Sequence, residues 1–101
     1  MNRLMLILVT TVILQGLGAA GEIKFVDPNS VVIDGEPYYL AGVDTTGLNV
    51  SSEATIMNWI DAEIHPNSYM IVDDEVILRE NGTIVNHRIE TMCDKHRHTL
   101  A

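Results

Sequence analysis

Residues Val26–Gly47 read V-D-P-N-S-V-V-I-D-G-E-P-Y-Y-L-A-G-V-D-T-T-G, and the reading of this stretch decides the fold. Asp27-Pro28-Asn29-Ser30 is a turn by composition: proline fixes one φ, and the Asp, Asn and Ser side chains hydrogen-bond nearby backbone. Ser30–Ile33 then reads as a strand, Asp34-Gly35 as a two-residue hairpin turn, and Pro37–Val43 as the returning strand. Tyr38 and Tyr39 are neighbours on that strand, so one ring faces the core and the other faces solvent. The outward ring is either a plain surface tyrosine or a platform for stacking a base or a sugar.

Upstream, Ile23–Val26 is a short apolar segment leading into the turn. Residues 1–20 have the make-up of a signal peptide. Asn2-Arg3 gives a positive start, Leu4–Leu14 an apolar stretch, and Gln15–Ala20 the small residues of a cleavage site, placed after Ala20. A retained anchor is the alternative, but the run is short and followed by glycines. The expectation is a protein that is periplasmic or secreted and keeps no stable membrane anchor after cleavage, with residues 21–101 forming one domain.

Downstream, Asn49, Ser51 and Ser52 offer N-caps for a helix running to about Ile64, with Glu53 in its first turn. Ile56, Met57, Ile60 and Ile64 recur at helical spacing, and His65-Pro66-Asn67 ends the pattern. A second set of strands follows: Tyr69–Val72, an acidic patch at Asp73-Asp74-Glu75, Val76–Arg79, the turn Asn81-Gly82, and Thr83–Ile89. The remaining tail is polar. Strands, one helix, then strands again predict a β-rich α+β fold, a small and incomplete antiparallel barrel of the OB type. An unrelated α+β domain with two hairpins is the other reading. A barrel left incomplete exposes a sheet edge and favours self-association.

The charge balance narrows the partners. Only Arg3 of the 6 basic residues lies in the leader, which leaves 5 against 14 acidic ones, a net charge of about −9. Strong nucleic-acid binding draws on Lys and Arg neutralising phosphates, so this acidic balance argues against it. Cys93 is the single cysteine, so no intramolecular disulfide forms in an oxidising compartment.

The segment through Asp44 resembles the front end of the staphylococcal-type thermonucleases, which run V-D-G-D-T-I, a D-G-containing turn, then R-L-A-G-I-D-A-P-E. Leu40-Ala41-Gly42-Val43-Asp44 matches L-A-G-I-D, and Asp27 matches the first aspartate. Asp94-Lys95-His96-Arg97-His98-Thr99-Leu100-Ala101 is similar to the family's D-K/R-Y-G-R-x-L-A. Members of that family hold Ca²⁺ with two aspartates and a backbone carbonyl, clamp the phosphate with two arginines, and orient water with a glutamate. The resemblance puts the metal positions on Asn29 and Asp44, with the carbonyl at Thr45 and Asp27 nearby. The first arginine becomes Tyr39, the glutamate becomes Gly47, and the second arginine becomes His98 unless Arg97 takes its place.

These replacements remove different parts of the chemistry. Asn29 keeps an oxygen but loses a charge, so calcium is held weakly. Tyr39 offers one hydrogen bond where a permanently charged bidentate fork is needed. Gly47 supplies no base. The resemblance therefore implies a pseudoenzyme that persists as a binding module. The alternative is a weak Ca²⁺-dependent nuclease using Asp44, Asn29 and an arginine from Arg88 or Arg97. Asp44 itself is either a weak cation ligand or a strand-end residue accepting hydrogen bonds from Thr45-Thr46-Gly47. A third reading is a transition-metal site at His87, Cys93, His96 and His98, with His96 and His98 on one face of an extended tail.

Overall fold

The computed structural model describes residues 22–100, with side chains through Arg97. The leader and its cleavage point after Ala20 lie outside the described residues. In chain order the elements are β1 (Ile23–Asp27), β2 (Ser30–Ile33), β3 (Glu36–Leu40), α1 (Val50–Glu63), β4 (Ser68–Val72), β5 (Glu75–Glu80), β6 (Thr83–Ile84) and α2 (Val85–Leu100). Together they form a small α+β domain with an open, mostly antiparallel six-stranded sheet and two helices.

The opening hairpin forms where expected. Asp34 and Gly35 take φ of 51° and 85°, the left-handed pair that a two-residue turn needs to match strand twist. Ile33 then faces Glu36, and Ser30 faces Tyr39. The returning strand stops at Leu40 rather than Val43, because Gly42 turns the chain at φ 77°. At the other end of β2, one Asp27 carboxylate oxygen accepts from the Asn29 N–H at 3.1 Å and the Ser30 hydroxyl at 2.9 Å. This closes the turn that joins β1 to β2.

Helix α1 follows its sequence signals. The Asn49 side chain accepts from the Ser52 N–H at 2.8 Å, satisfying one of the free first-turn donors. Ile56 and Ile60 are buried, as is Ile64 just past the end, and Pro66 keeps the helix from continuing.

The sheet runs β1-β2-β3-β5-β4, with β6 pairing β5. The β3–β5 pair is parallel, through Tyr39 opposite Glu75 and Leu40 opposite Val76. The parallel pair arises because the chain leaves β3, passes through α1, and returns by the β4–β5 hairpin.

The C-terminal third corrects the sequence reading. Thr83–Ile89 is not a strand; β6 ends at Ile84 and α2 begins at Val85, so the domain has two helices where one was expected. Val85, Ile89 and Cys93 are spaced four apart and each is 0 % exposed, which is a helical stripe. The β-branched run Thr83-Ile84-Val85 at the start of this segment hid that period. The tail is helical and not extended, so positions 96 and 98 stand roughly 200° apart around the axis rather than on one face.

The core lies between the sheet and the helices: Val31, Leu40, Val76 and Leu78 from strands meet Ile56 and Ile60 from α1 and Val85, Ile89 and Cys93 from α2. Arg88 on α2 lies 5.9 Å from the Trp59 ring centroid on α1 and 3.5 Å from Glu80. Among the described residues no helix is long and apolar enough to cross a membrane.

Candidate functional site

The residues that the thermonuclease resemblance singles out fall into two groups. One lies around the loop after β3. Asp44 follows the Ala41-Gly42 turn, and one of its carboxylate oxygens accepts the Thr46 N–H at 2.9 Å. Hydrogen bonds from the Thr46 side chain and backbone hold the Asp44 carboxyl below its usual range, so it is ionised at neutral pH. The geometry is that of a strand-end residue serving its own turn.

Arg97 of α2 reaches the same loop. Its Nη1 donates to the Asp44 carbonyl, and its Nη2 lies 2.8 Å from Glu90 and 3.4 Å from Asp94. The other Glu90 oxygen accepts the Asp44 N–H at 2.9 Å. Partial burial pulls the Arg97 guanidinium down, but hydrogen bonds to Glu90 and Asp94 outweigh it and raise its pKa. Glu90 and Arg97 thus clamp both main-chain polar groups of Asp44 onto α2. Gly47 completes this group: a Cβ built there would stand 3.4 Å from Arg97 Cδ, at a backbone φ of 88°.

So Gly47, where the resemblance puts the glutamate, and Arg97, one of its two candidates for the second arginine, are neighbours in space; the side chain of the other, His98, lies outside the described residues. Their chemistry differs. The Arg97 guanidinium is committed to two carboxylates and a carbonyl, and Gly47 has no side chain. Arg88, the other recruitable arginine, is engaged with Trp59 and Glu80.

The groups that the resemblance assigns to calcium are partly engaged within the protein. Asp27 spends one carboxylate oxygen on the β1–β2 turn, and Asp44 spends one on Thr46. The Asn29 main-chain carbonyl accepts the Leu40 N–H at 2.8 Å, a bond that does not involve its side-chain oxygen. Arg97 places a permanent positive charge against the Asp44 main chain, which opposes a divalent cation there. Thr45 is half-buried in the same loop, and its carbonyl accepts the Leu48 N–H at 3.1 Å.

Of the alternative transition-metal set, His87, Cys93 and His96 are described and are not grouped, and the His98 side chain lies outside the described residues. Cys93 is buried against the core, His87 is exposed and His96 half-buried on other parts of α2. Among the described residues no three His, Cys, Asp or Glu side chains are grouped to hold an ion. Burial, reinforced by Glu90, pushes the Cys93 thiol up to about 11, whereas metal ligation needs the thiolate. A thiol whose folded pKa is raised contributes stability at pH values below its unfolded pKa, and this contribution is lost as pH rises through the folded value, here between about 9 and 11. At pH 8 a thiol reagent is therefore expected to label folded Cys93 roughly 100-fold more slowly than the urea-unfolded chain. Equal rates would show that the thiol is accessible and ionisable.

The second group lies on the β2–β3 side of the sheet. Tyr39 points outward, 59 % exposed, while Tyr38 packs against the core, as alternation along β3 requires. The two tyrosines, with Val26, Pro37, Asp27, Ser30 and Asp74, line a cleft of about 440 Å³. The Tyr39 N–H donates to the Asp74 carbonyl at 3.1 Å, fixing the β4–β5 turn beside the ring. Sequence reading found Tyr39 and Asp27 but not Asp74, which only the parallel β3–β5 pairing brings to the site.

Comparison with known proteins gives no match, whether against family models, curated sequences or solved structures.

Proposed function

We propose that this chain is an exported, thermonuclease-like module of the OB type that has no phosphodiesterase activity and binds an uncharged oligosaccharide at the Tyr39 cleft. Five strands in the order β1-β2-β3-β5-β4, not closed by hydrogen bonds, with a helix between β3 and β4, support the OB-type reading. Export rests on the sequence of residues 1–20. The thermonuclease likeness is supported by the Val26–Gly47 pattern and by the proximity of Gly47 to Arg97.

The cleft carries the functional reading. Its volume lies within the range of small-ligand sites, and barrels of this type bind oligonucleotides and oligosaccharides across strands 2 and 3. The charges choose between these two. Asp27 and Asp74 at the cleft, in a chain of net charge −8, repel phosphates. Carboxylates accept hydrogen bonds from sugar hydroxyls, and the Tyr39 ring offers an apolar face with a polar tip.

The test is a titration of neutral oligosaccharides and of single-stranded DNA into the chain, followed by tyrosine fluorescence. Oligosaccharide binding is expected, with Tyr39→Ala weakening it roughly tenfold or more, the scale of losing one stacking partner. DNA binding that exceeds sugar binding, or sugar binding indifferent to Tyr39→Ala, would refute the assignment.

A further inference from the structure

The open sheet has two edges, and the sequence guards them unequally. β1 carries Lys24, paired at 3.8 Å with Glu22 just before the strand, and its register with β2 shifts between Phe25 and Asp27. Charge and a bulge both discourage another strand from joining that edge. β4 is Ser68-Tyr69-Met70-Ile71-Val72, five residues with no charge, proline or bulge, and Met70, Ile71 and Val72 are all exposed. In a chain this acidic, an uncharged apolar edge is the exception.

Hydrogen-bond parity shows what that edge presents. The carbonyls of Asp74 and Val76 accept from Tyr39 and Ala41 on the β3 side. Backbone polar groups alternate sides along a strand, so Glu75, Ile77 and Arg79 face β4. Their register partners are Val72, Met70 and Ser68, which therefore spend their N–H and C=O groups on β5. Those of Tyr69 and Ile71 point to the open side.

We propose that two copies of this chain join β4 to β4, antiparallel, about a two-fold axis through Met70. This register makes Tyr69 and Ile71 of each copy a hydrogen-bonded pair with Ile71 and Tyr69 of the other, so all four outward groups on each edge are satisfied. Met70 meets Met70 as the non-hydrogen-bonded pair, where side chains approach most closely. Tyr69 beside Ile71 is an aromatic–β-branched cross-strand pair, which is favourable. Beyond the strand, Asp73 comes opposite Asn67, so no carboxylate faces a carboxylate. The strand is self-complementary in hydrogen bonding and carries no charge to repel its own copy, which fits a second copy better than an unlike partner.

Met70 tests this in two ways. Light scattering of the purified chain across a concentration series is expected to show a dimer. Met70→Lys, which sets two ammonium groups together on the axis, is expected to weaken it roughly tenfold or more with an unchanged circular dichroism spectrum. Should the lysine variant not fold, Met70→Cys decides. A non-hydrogen-bonded pair sets Cα atoms about 4.5 Å apart, within disulfide reach. Under oxidation that variant is expected to form linked dimers faster than Val50→Cys, a control at a more exposed site on α1. Buried Cys93 is shielded from such exchange. A wild-type chain that stays monomeric at every concentration, or cross-linking at Met70→Cys no faster than at Val50→Cys, overturns the proposal.

Discussion

Asn86→Ala is expected to remove about 3–5 kcal/mol of folding stability. Asn86 sits in the first turn of α2 and is 3 % exposed. Its Oδ1 accepts the Leu78 N–H at 2.8 Å, and its Nδ2 donates to the Ala41 carbonyl at 2.9 Å and the Val76 carbonyl at 3.0 Å. One amide thus joins the end of β3, the middle of β5 and the start of α2. The Ala41 N–H already donates to Val76, so that carbonyl keeps a partner in the variant. The Leu78 N–H loses its acceptor inside the core, and leaving a buried backbone donor unpaired costs more than the bond itself contributes. A domain of this size has a total stability on the order of 4–12 kcal/mol, so the variant is expected to lose a large share of it. Urea denaturation measures the loss. Asn86→Asp separates the roles, because a carboxylate still accepts from Leu78 but cannot donate to either carbonyl, and it too is expected to be destabilised. A loss below about 1 kcal/mol in Asn86→Ala would mean that the three bonds do not form together.

Ile89→Ala is expected to cost about 2–5 kcal/mol, the usual range for emptying a buried aliphatic site. Ile89 is 0 % exposed and lies between Val85 and Cys93 on the stripe that seats α2 against the sheet. Ile89→Val, which removes one methylene, is expected to cost about 1 kcal/mol. The same change has a chemical readout. Cys93 lies one helical turn further on, so a loosened α2 should expose its thiol and speed labelling well beyond the wild-type rate. If Ile89→Ala lowered stability while Cys93 remained equally protected, α2 would be held by its clamp to the Asp44 loop rather than by the stripe.

Much of the fold was legible because the strongest signals are local. Asp34-Gly35 and Asn81-Gly82 take the positive φ values their dipeptides announce. The Asn49 cap and the Ile56, Ile60, Ile64 stripe locate α1 within a residue or two. Adjacent tyrosines on one strand required that one ring face outward, and Tyr39 does. Helix α2 was missed because its stripe begins inside a β-branched run and the rest of the segment is polar. Asn86 was illegible for another reason: its three partners lie on two strands that meet only through a parallel pairing formed across α1. Arg97 was visible as a candidate, but its role depends on Glu90, which the expected strand and extended tail would not have brought to the Asp44 loop. Tyr39 and Gly47 could be singled out in the sequence; the Arg97 guanidinium against the Asp44 main chain could not.

The function we propose is that of a nuclease-like frame without phosphodiester hydrolysis. Its direct test is cleavage of labelled single-stranded DNA and RNA by the purified chain, folded by circular dichroism, in calcium and in chelator. No cleavage in either condition is the expected result, since Gly47 supplies no base and Arg97 is bound to Glu90, Asp94 and Asp44. Cleavage that chelator abolishes and that Asp44→Ala removes would contradict it and restore the enzyme.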